Sequence, residues 1–166
     1  MSNKKFPRIY SLSTVGIRNH YNSDYRFHPF RTDFAGDSGV GKSIIADVLQ
    51  LILVGEREFK SATDSSSERE ARKLIIERYG YVFLNIAIDT DKFIVIGMYI
   101  STTSIDPFII QANIGLDVFE PLSSPLISKD FMLGDEIIDI TNLPERMKEN
   151  KQAYAAKLSL NKYHEL

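Results

Sequence analysis

Cysteine is absent from all 166 residues. That excludes a disulfide framework, a thiolate metal site and a cysteine nucleophile. The only histidines, His20, His28 and His164, are too scattered to read as a metal-ligand cluster. No apolar run approaches membrane-spanning length, and no apolar signal core follows the polar stretch Met1 to Lys5. The expectation is a cytoplasmic protein with no membrane partner. Bulk basicity is missing too: the net charge is −2 and the pI is near 5.9. Nucleic-acid contact would therefore have to come from a local patch or from parts beyond this chain. Long Gly/Ser/Pro tracts, low-complexity segments and internal repeats do not occur, and 43% of the residues are apolar, enough for a folded domain with a real core.

Against this background one stretch carries chemistry. Gly36-Asp37-Ser38-Gly39-Val40-Gly41-Lys42-Ser43 matches the phosphate-binding loop pattern at every position. Glycines at 36, 39 and 41 let the backbone approach an anion without Cβ clashes. Successive N–H groups then point at the phosphates, at the positive end of the helix that opens with Ile44. Lys42 reaches the β- and γ-phosphates, and the Ser43 hydroxyl coordinates Mg²⁺. The flanks agree. Phe30 to Ala35 alternates like a short strand, and Ile44 to Val54 is apolar almost all round and stops at Gly55, as a buried helix does. The expected ligand is a nucleoside triphosphate with Mg²⁺.

Taken in order, Arg8 to Ile17 alternates and reads as a strand, Arg18 to Asp24 as a polar loop, and Tyr25 to Phe30 as a strand that tolerates Pro29. Arg26 and His28 share a face that is either simply exposed or in contact with the nucleotide. Glu56 to Glu70 reads as a Ser-rich surface loop, in which Arg57, Lys60 and Arg69 are either solvated charges or phosphate contacts. Glu68 to Tyr79 has the spacing of a short amphipathic helix stopped by Gly80. Tyr81 to Ile88 and Lys92 to Ser101 form a hairpin about Asp89-Thr90-Asp91, and Pro107 to Ala112 and Leu116 to Phe119 read as further strands. Phe131 to Ile140 fits neither period. Leu143, Met147, Tyr154 and Leu158 predict a helix over 143–160. The expected fold class is thus α/β (α+β): a phosphate-loop NTPase lobe with strand, loop and buried helix, an antiparallel β meander, and a helical C-terminal end.

This order resembles the N-terminal part of an SMC/RecF-type ATPase head, a branch of the ABC ATPases. The resemblance rests on Ile9 to Leu12, on Phe34-Ala35 with Gly36 to Ser43, and on Ile44, Asp47-Val48-Leu49, Leu51, Leu53 and Gly55. Ser61 to Asp64 and Tyr79 to Val82 are similar to MukB-like or prokaryotic defence ATPases. It spans residues 8–120, and its loop is specific for nucleotide rather than for family. What the resemblance implies is an N-terminal head lobe over residues 1–140 and the start of a coiled-coil arm over 141–166. ATP and Mg²⁺ would be the cofactors, and hydrolysis would follow only when a C-terminal lobe supplies the signature and Walker B motifs and a second head closes the site. DNA would be the partner, in repair, chromosome organisation or defence. It also implies a Mg²⁺-holding glutamine at a strand end, for which Gln111 is the candidate and Gln152 a weaker one.

The later family motifs are not found. No Leu-Ser-Gly-Gly string occurs; Leu158-Ser159-Leu160 is not one. Phe83 to Asp89 comes nearest to a Walker B strand, but Asn85 interrupts it, and Asp89 reads as a turn residue. Asp135-Glu136 reads as a surface pair. Catalysis would thus rest on Lys42 with no base in this chain. Two rival readings stand beside it: a self-contained small P-loop kinase or GTPase, and a non-catalytic module that uses nucleotide as a regulatory ligand.

Overall fold

The computed structural model describes residues 6–17, 20–27, 49, 52–53, 75–76, 78–102, 104–112, 120–151 and 153–157. Its centre is a six-stranded sheet in the order β2-β1-β3-β4-β5-β8. The strands are β1 (Arg8–Ile17), β2 (His20–Arg26), β3 (Tyr79–Asp89), β4 (Lys92–Ser101), β5 (Ile105–Ala112) and β8 (Ala153–Lys157). All five neighbouring pairs are antiparallel. The described architecture is therefore mostly antiparallel β, and the expected α/β class of a phosphate-loop NTPase lobe is overturned. A parallel sheet needs crossover helices, whereas here β3, β4 and β5 follow one another through short turns.

Both faces of the central strands are covered, which is why β3 and β4 read as almost unbroken apolar runs. On the first face, Val15, Tyr81, Phe83, Val95, Tyr99 and Phe108 are buried. On the second, Leu12, Val82, Leu84, Ile96, Met98 and Ile100 are buried together with Ile52. Leu49, Ile52 and Leu53 are helical, and Leu49 packs on the same face as Ile52. Helicity at these residues agrees with the helix read over 44–54, but Leu53 is exposed, so burial on every side is not borne out there; the other residues of that helix lie outside the described set.

The first face is covered by residues 120–151. Leu122 bridges Phe93 through both of its backbone groups (2.7 and 2.8 Å). A 3₁₀ turn (Ser128–Phe131) then drops Phe131 onto the sheet. A two-stranded ribbon, β6 (Met132–Leu133) with β7 (Glu136–Ile137), follows, and then helix α1 (Leu143–Lys151). Leu143 and Met147 are one turn apart and both buried, so α1 docks along a single stripe. Its last residue, Lys151, pairs with Asp130 of the 3₁₀ turn at 3.2 Å.

Three further expectations need correction. The segment read as a polar loop over 18–24 contains most of β2, an edge strand with Asn22, Asp24 and Arg26 exposed, and its polarity is that of a strand with one wet side. The amphipathic helix read up to Tyr79 does not reach it: Ile75 bridges Ile17, and Tyr79 and Gly80 already belong to β3. The helix expected over 143–160 ends at Lys151, and the chain returns as β8 along β5, so the helical C-terminal end is wrong for 153–157. The strand read over Leu116 to Phe119 lies outside the described residues.

Tyr81 sets a pH limit on this packing. It is fully buried, and its hydroxyl donates to the Ile138 carbonyl of the covering segment. Burial, first, and then negative charge at Tyr99, Asp139 and Tyr79 push its pKa well above the usual tyrosine value. Burial and Asp139 likewise push Tyr99 up to about 12. The folded state therefore keeps protons that the unfolded chain loses. That stability is whole below pH of about 10 and declines as pH rises above it, by about 1.4 kcal/mol per unit for Tyr81. Melting temperature followed from neutral to strongly alkaline pH should fall beyond that point, and Tyr81→Phe should flatten the fall. An unchanged slope in that variant would contradict the assignment.

Candidate functional site

Residues 36–44, which carry the phosphate-loop reading through Lys42 and Ser43, lie outside the described residues, as do His28, Arg57, Lys60, Arg69 and Gln152. The structure describes the platform on either side. β2 ends at Arg26, and the Phe27 N–H donates to the Tyr10 carbonyl (2.9 Å). Beyond the glycine stretch, the helical residues Leu49 and Ile52 pack on the second face.

Gln111, the expected Mg²⁺ ligand, is half-buried near the end of β5, opposite Tyr154 of β8. Strand alternation puts it on the face of Ile109, the face that also receives Ile52. It shares that face with the helix but is flanked by strands on both sides. Among the described residues no group of His, Cys, Asp or Glu could hold a metal.

The acidic candidates fall where the sequence implied, Asp89 in a turn and Asp135-Glu136 at the surface. Asp89 is exposed and accepts the Thr90 N–H (2.8 Å), and Asp91 takes the left-handed conformation (φ 53°) that closes the hairpin. Asp135 and Glu136 are exposed at the tip of the β6–β7 ribbon.

Asn85, which breaks the apolar run of β3, instead fastens the covering segment. It is fully buried; its amide donates to Ser11 Oγ and to the Leu126 carbonyl (both 2.8 Å) and accepts from the Leu126 N–H (2.9 Å). Asp24 makes a second tie from the edge strand, accepting from Ser13 Oγ and from both the N–H and the Oγ of Ser128 (2.9 Å each). A lone asparagine in an apolar strand signals a buried partner, but nothing in the sequence points to Leu126.

The structure also gathers a basic corner. The Arg26 guanidinium lies 4.6 Å from the Tyr10 ring centroid and that of Arg8 5.3 Å from it. Tyr10 itself meets Phe93 edge-on at 5.0 Å. Arg8 Nε and Nη1 are buried without a hydrogen-bond partner. Arg26 was legible as an exposed strand residue; Arg8 was not, because only the pairing of β1 with β2 and the kink between Ile9 and Ser11 bring it to the same ring.

At the far end of the sheet a cleft of about 390 Å³ runs between Tyr79, Ile137, Asp139 and α1, where Asn142, Arg146 and Glu149 line it. Its charges are mixed, and no nucleophile lies beside a base. No helix of the described residues is long and apolar enough to cross a membrane. No protein-family model matches the chain, and no curated protein matches it.

Proposed function

We propose that this chain binds ATP with Mg²⁺ through Gly36 to Ser43, as the N-terminal half of an SMC/RecF-like ATPase of the cytoplasm that acts on DNA. The observation that carries this reading is the complete eight-residue phosphate pattern followed by the apolar stretch Ile44 to Val54. Its support from the fold is that the helical residues Leu49 and Ile52, a few positions further on, pack on the second face of the sheet. A phosphate loop needs backbone N–H groups and a helix start, not a parallel sheet. Lys42 holds the β- and γ-phosphates, and Ser43 ligates the metal with Gln111 in support. Hydrolysis waits on a C-terminal lobe with the signature motif and the Walker B carboxylates, and on a second head.

Binding without turnover by this chain alone is favoured by one observation: Asp89, the nearest Walker B candidate, is an exposed turn residue already bonded to Thr90. That placement equally suits a module regulated by nucleotide, and it counts against a self-contained kinase or GTPase.

A ligand at 100 times its dissociation constant stabilises the folded state by about 2.7 kcal/mol. For a domain of this size, saturating ATP–Mg²⁺ should raise the melting temperature by about 5–10 °C. Lys42→Ala should melt like the wild type without ATP and lose most of the rise with it. A wild type that fails to respond would overturn nucleotide binding.

A further inference from the structure

Arg8 and Arg26 have no evident structural task that explains their meeting. Both guanidinium carbons lie close to one ring, at 5.3 and 4.6 Å from its centroid, so the two cations are within about 10 Å of each other and repel. Among the described residues neither pairs with a carboxylate. The acid next along β2, Asp24, is already held by Ser13 and Ser128. The ion pair of Lys151 with Asp130 is likewise self-contained. Arg8 Nε and Nη1 are buried with nothing accepting from them, which is unfavourable until an acceptor arrives. Arg26 is exposed, so the corner opens to solvent. Tyr10 packs with the first-face cluster, through Phe93, whereas Leu49 and Ile52 lie on the second face.

We infer that Arg8 and Arg26, stacked on Tyr10, form a phosphate-binding corner separate from Lys42. Guanidinium donors fit the phosphate oxyanion, and one dianionic group between the two arginines removes their repulsion and satisfies the orphaned donors together. The Tyr10 ring gathers the two cations at one place, so the donors are held close together before the anion arrives. The phosphate belongs to a free polyphosphate or to the tail of a nucleotide; the recognising chemistry is the same.

The test follows the Arg8 Nε–H resonance in the full chain while inorganic pyrophosphate, and separately ADP with Mg²⁺, is titrated in. It is run on the wild type and on Lys42→Ala, so that the glycine stretch and the corner are read apart. The expected result is a saturable shift with either ligand in both chains. Arg26→Gln should weaken that binding about tenfold or more. Because Arg26 is exposed, its variant should keep the wild-type melting temperature, which confirms that the loss is not unfolding. A shift that needs Lys42, one that appears with ADP but not with pyrophosphate, or one unchanged in Arg26→Gln would overturn the corner. The part of the melting response to ATP that Lys42→Ala removes reports on the glycine stretch, and the part that Arg26→Gln removes reports on the corner, so the two readings fail independently.

Discussion

Gly97→Ala is expected to cost about 3 kcal/mol of stability, at the high end for adding a single methyl group to a packed core. Gly97 lies in the middle of β4, between Phe83 of β3 and Phe108 of β5. A Cβ there would stand 2.4 Å from the Val82 carbonyl oxygen, 2.6 Å from Phe83 Cβ and 2.7 Å from Phe108 Cζ. The Phe108 ring end could turn aside, but the other two atoms belong to the backbone of β3 and to the first atom of its side chain. Relief therefore means separating β3 from β4, the central pair of the sheet. Against a total of about 5–15 kcal/mol for a domain, such a loss moves the urea midpoint far down. Gly134 is the control: its φ is +65° but a Cβ would meet nothing within 4 Å, so Gly134→Ala should cost only about 1 kcal/mol. Equal losses at the two positions would contradict the packing described for β4.

Phe131→Ala should cost more, about 4 kcal/mol, in the range for emptying a buried phenylalanine site. Phe131 is fully buried and touches three aromatic rings of the sheet: Phe83 at 4.4 Å, Tyr81 at 4.9 Å and Phe108 at 6.0 Å between centroids. It is the anchor by which an irregular segment holds the first face. Its loss should loosen 120–151 more than the sheet, since what remains there is a set of separate attachments, single buried side chains such as Leu122 and Leu126 and the hydrogen bonds of Asn85. Hydrogen exchange should therefore quicken first at Leu126 and Ile138, and the chemical-denaturation midpoint should drop. Uniform quickening across β3 and β4 would show that the cover and sheet are one unit instead.

Most central strands were legible from the sequence. β1 stands where its alternation put it, β3, β4 and β5 stand where apolar, β-branched runs between turn residues put them, and Asp89 to Asp91 closes the hairpin as its turn residues implied. Helicity at Leu49 and Ile52 was legible from an apolar run too long for a strand. Other elements hid for physical reasons. β2 is an edge strand whose outward residues are as polar as a loop's, and only its inward Tyr21 and Tyr25 betray it. The covering segment has no period because single side chains hold it, Leu122, Leu126 and Phe131, each from irregular backbone. β8 has small alanines that suit a helix as well as a strand; the open edge of β5 decides between them. The fold class failed for a different reason. Eight residues can specify how phosphate is bound without specifying the direction of strands elsewhere, and the strand–helix order around Gly36 was extended to a class that the antiparallel ladders contradict. Of the candidate site, the turn role of Asp89 and the exposure of Asp135-Glu136 were legible, while the meeting of Arg8 with Arg26 depends on a cross-strand register that sequence spacing does not reveal.

The most direct test of the central claim is equilibrium binding of ATP with Mg²⁺ and phosphate release, measured on the same sample of the purified chain with Lys42→Ala beside it. The expected result is saturable ATP binding whose tight component Lys42→Ala removes, with phosphate release no faster than in buffer. Absence of Lys42-dependent binding would contradict the nucleotide reading, and sustained Lys42-dependent release by this chain alone would contradict its dependence on a second lobe.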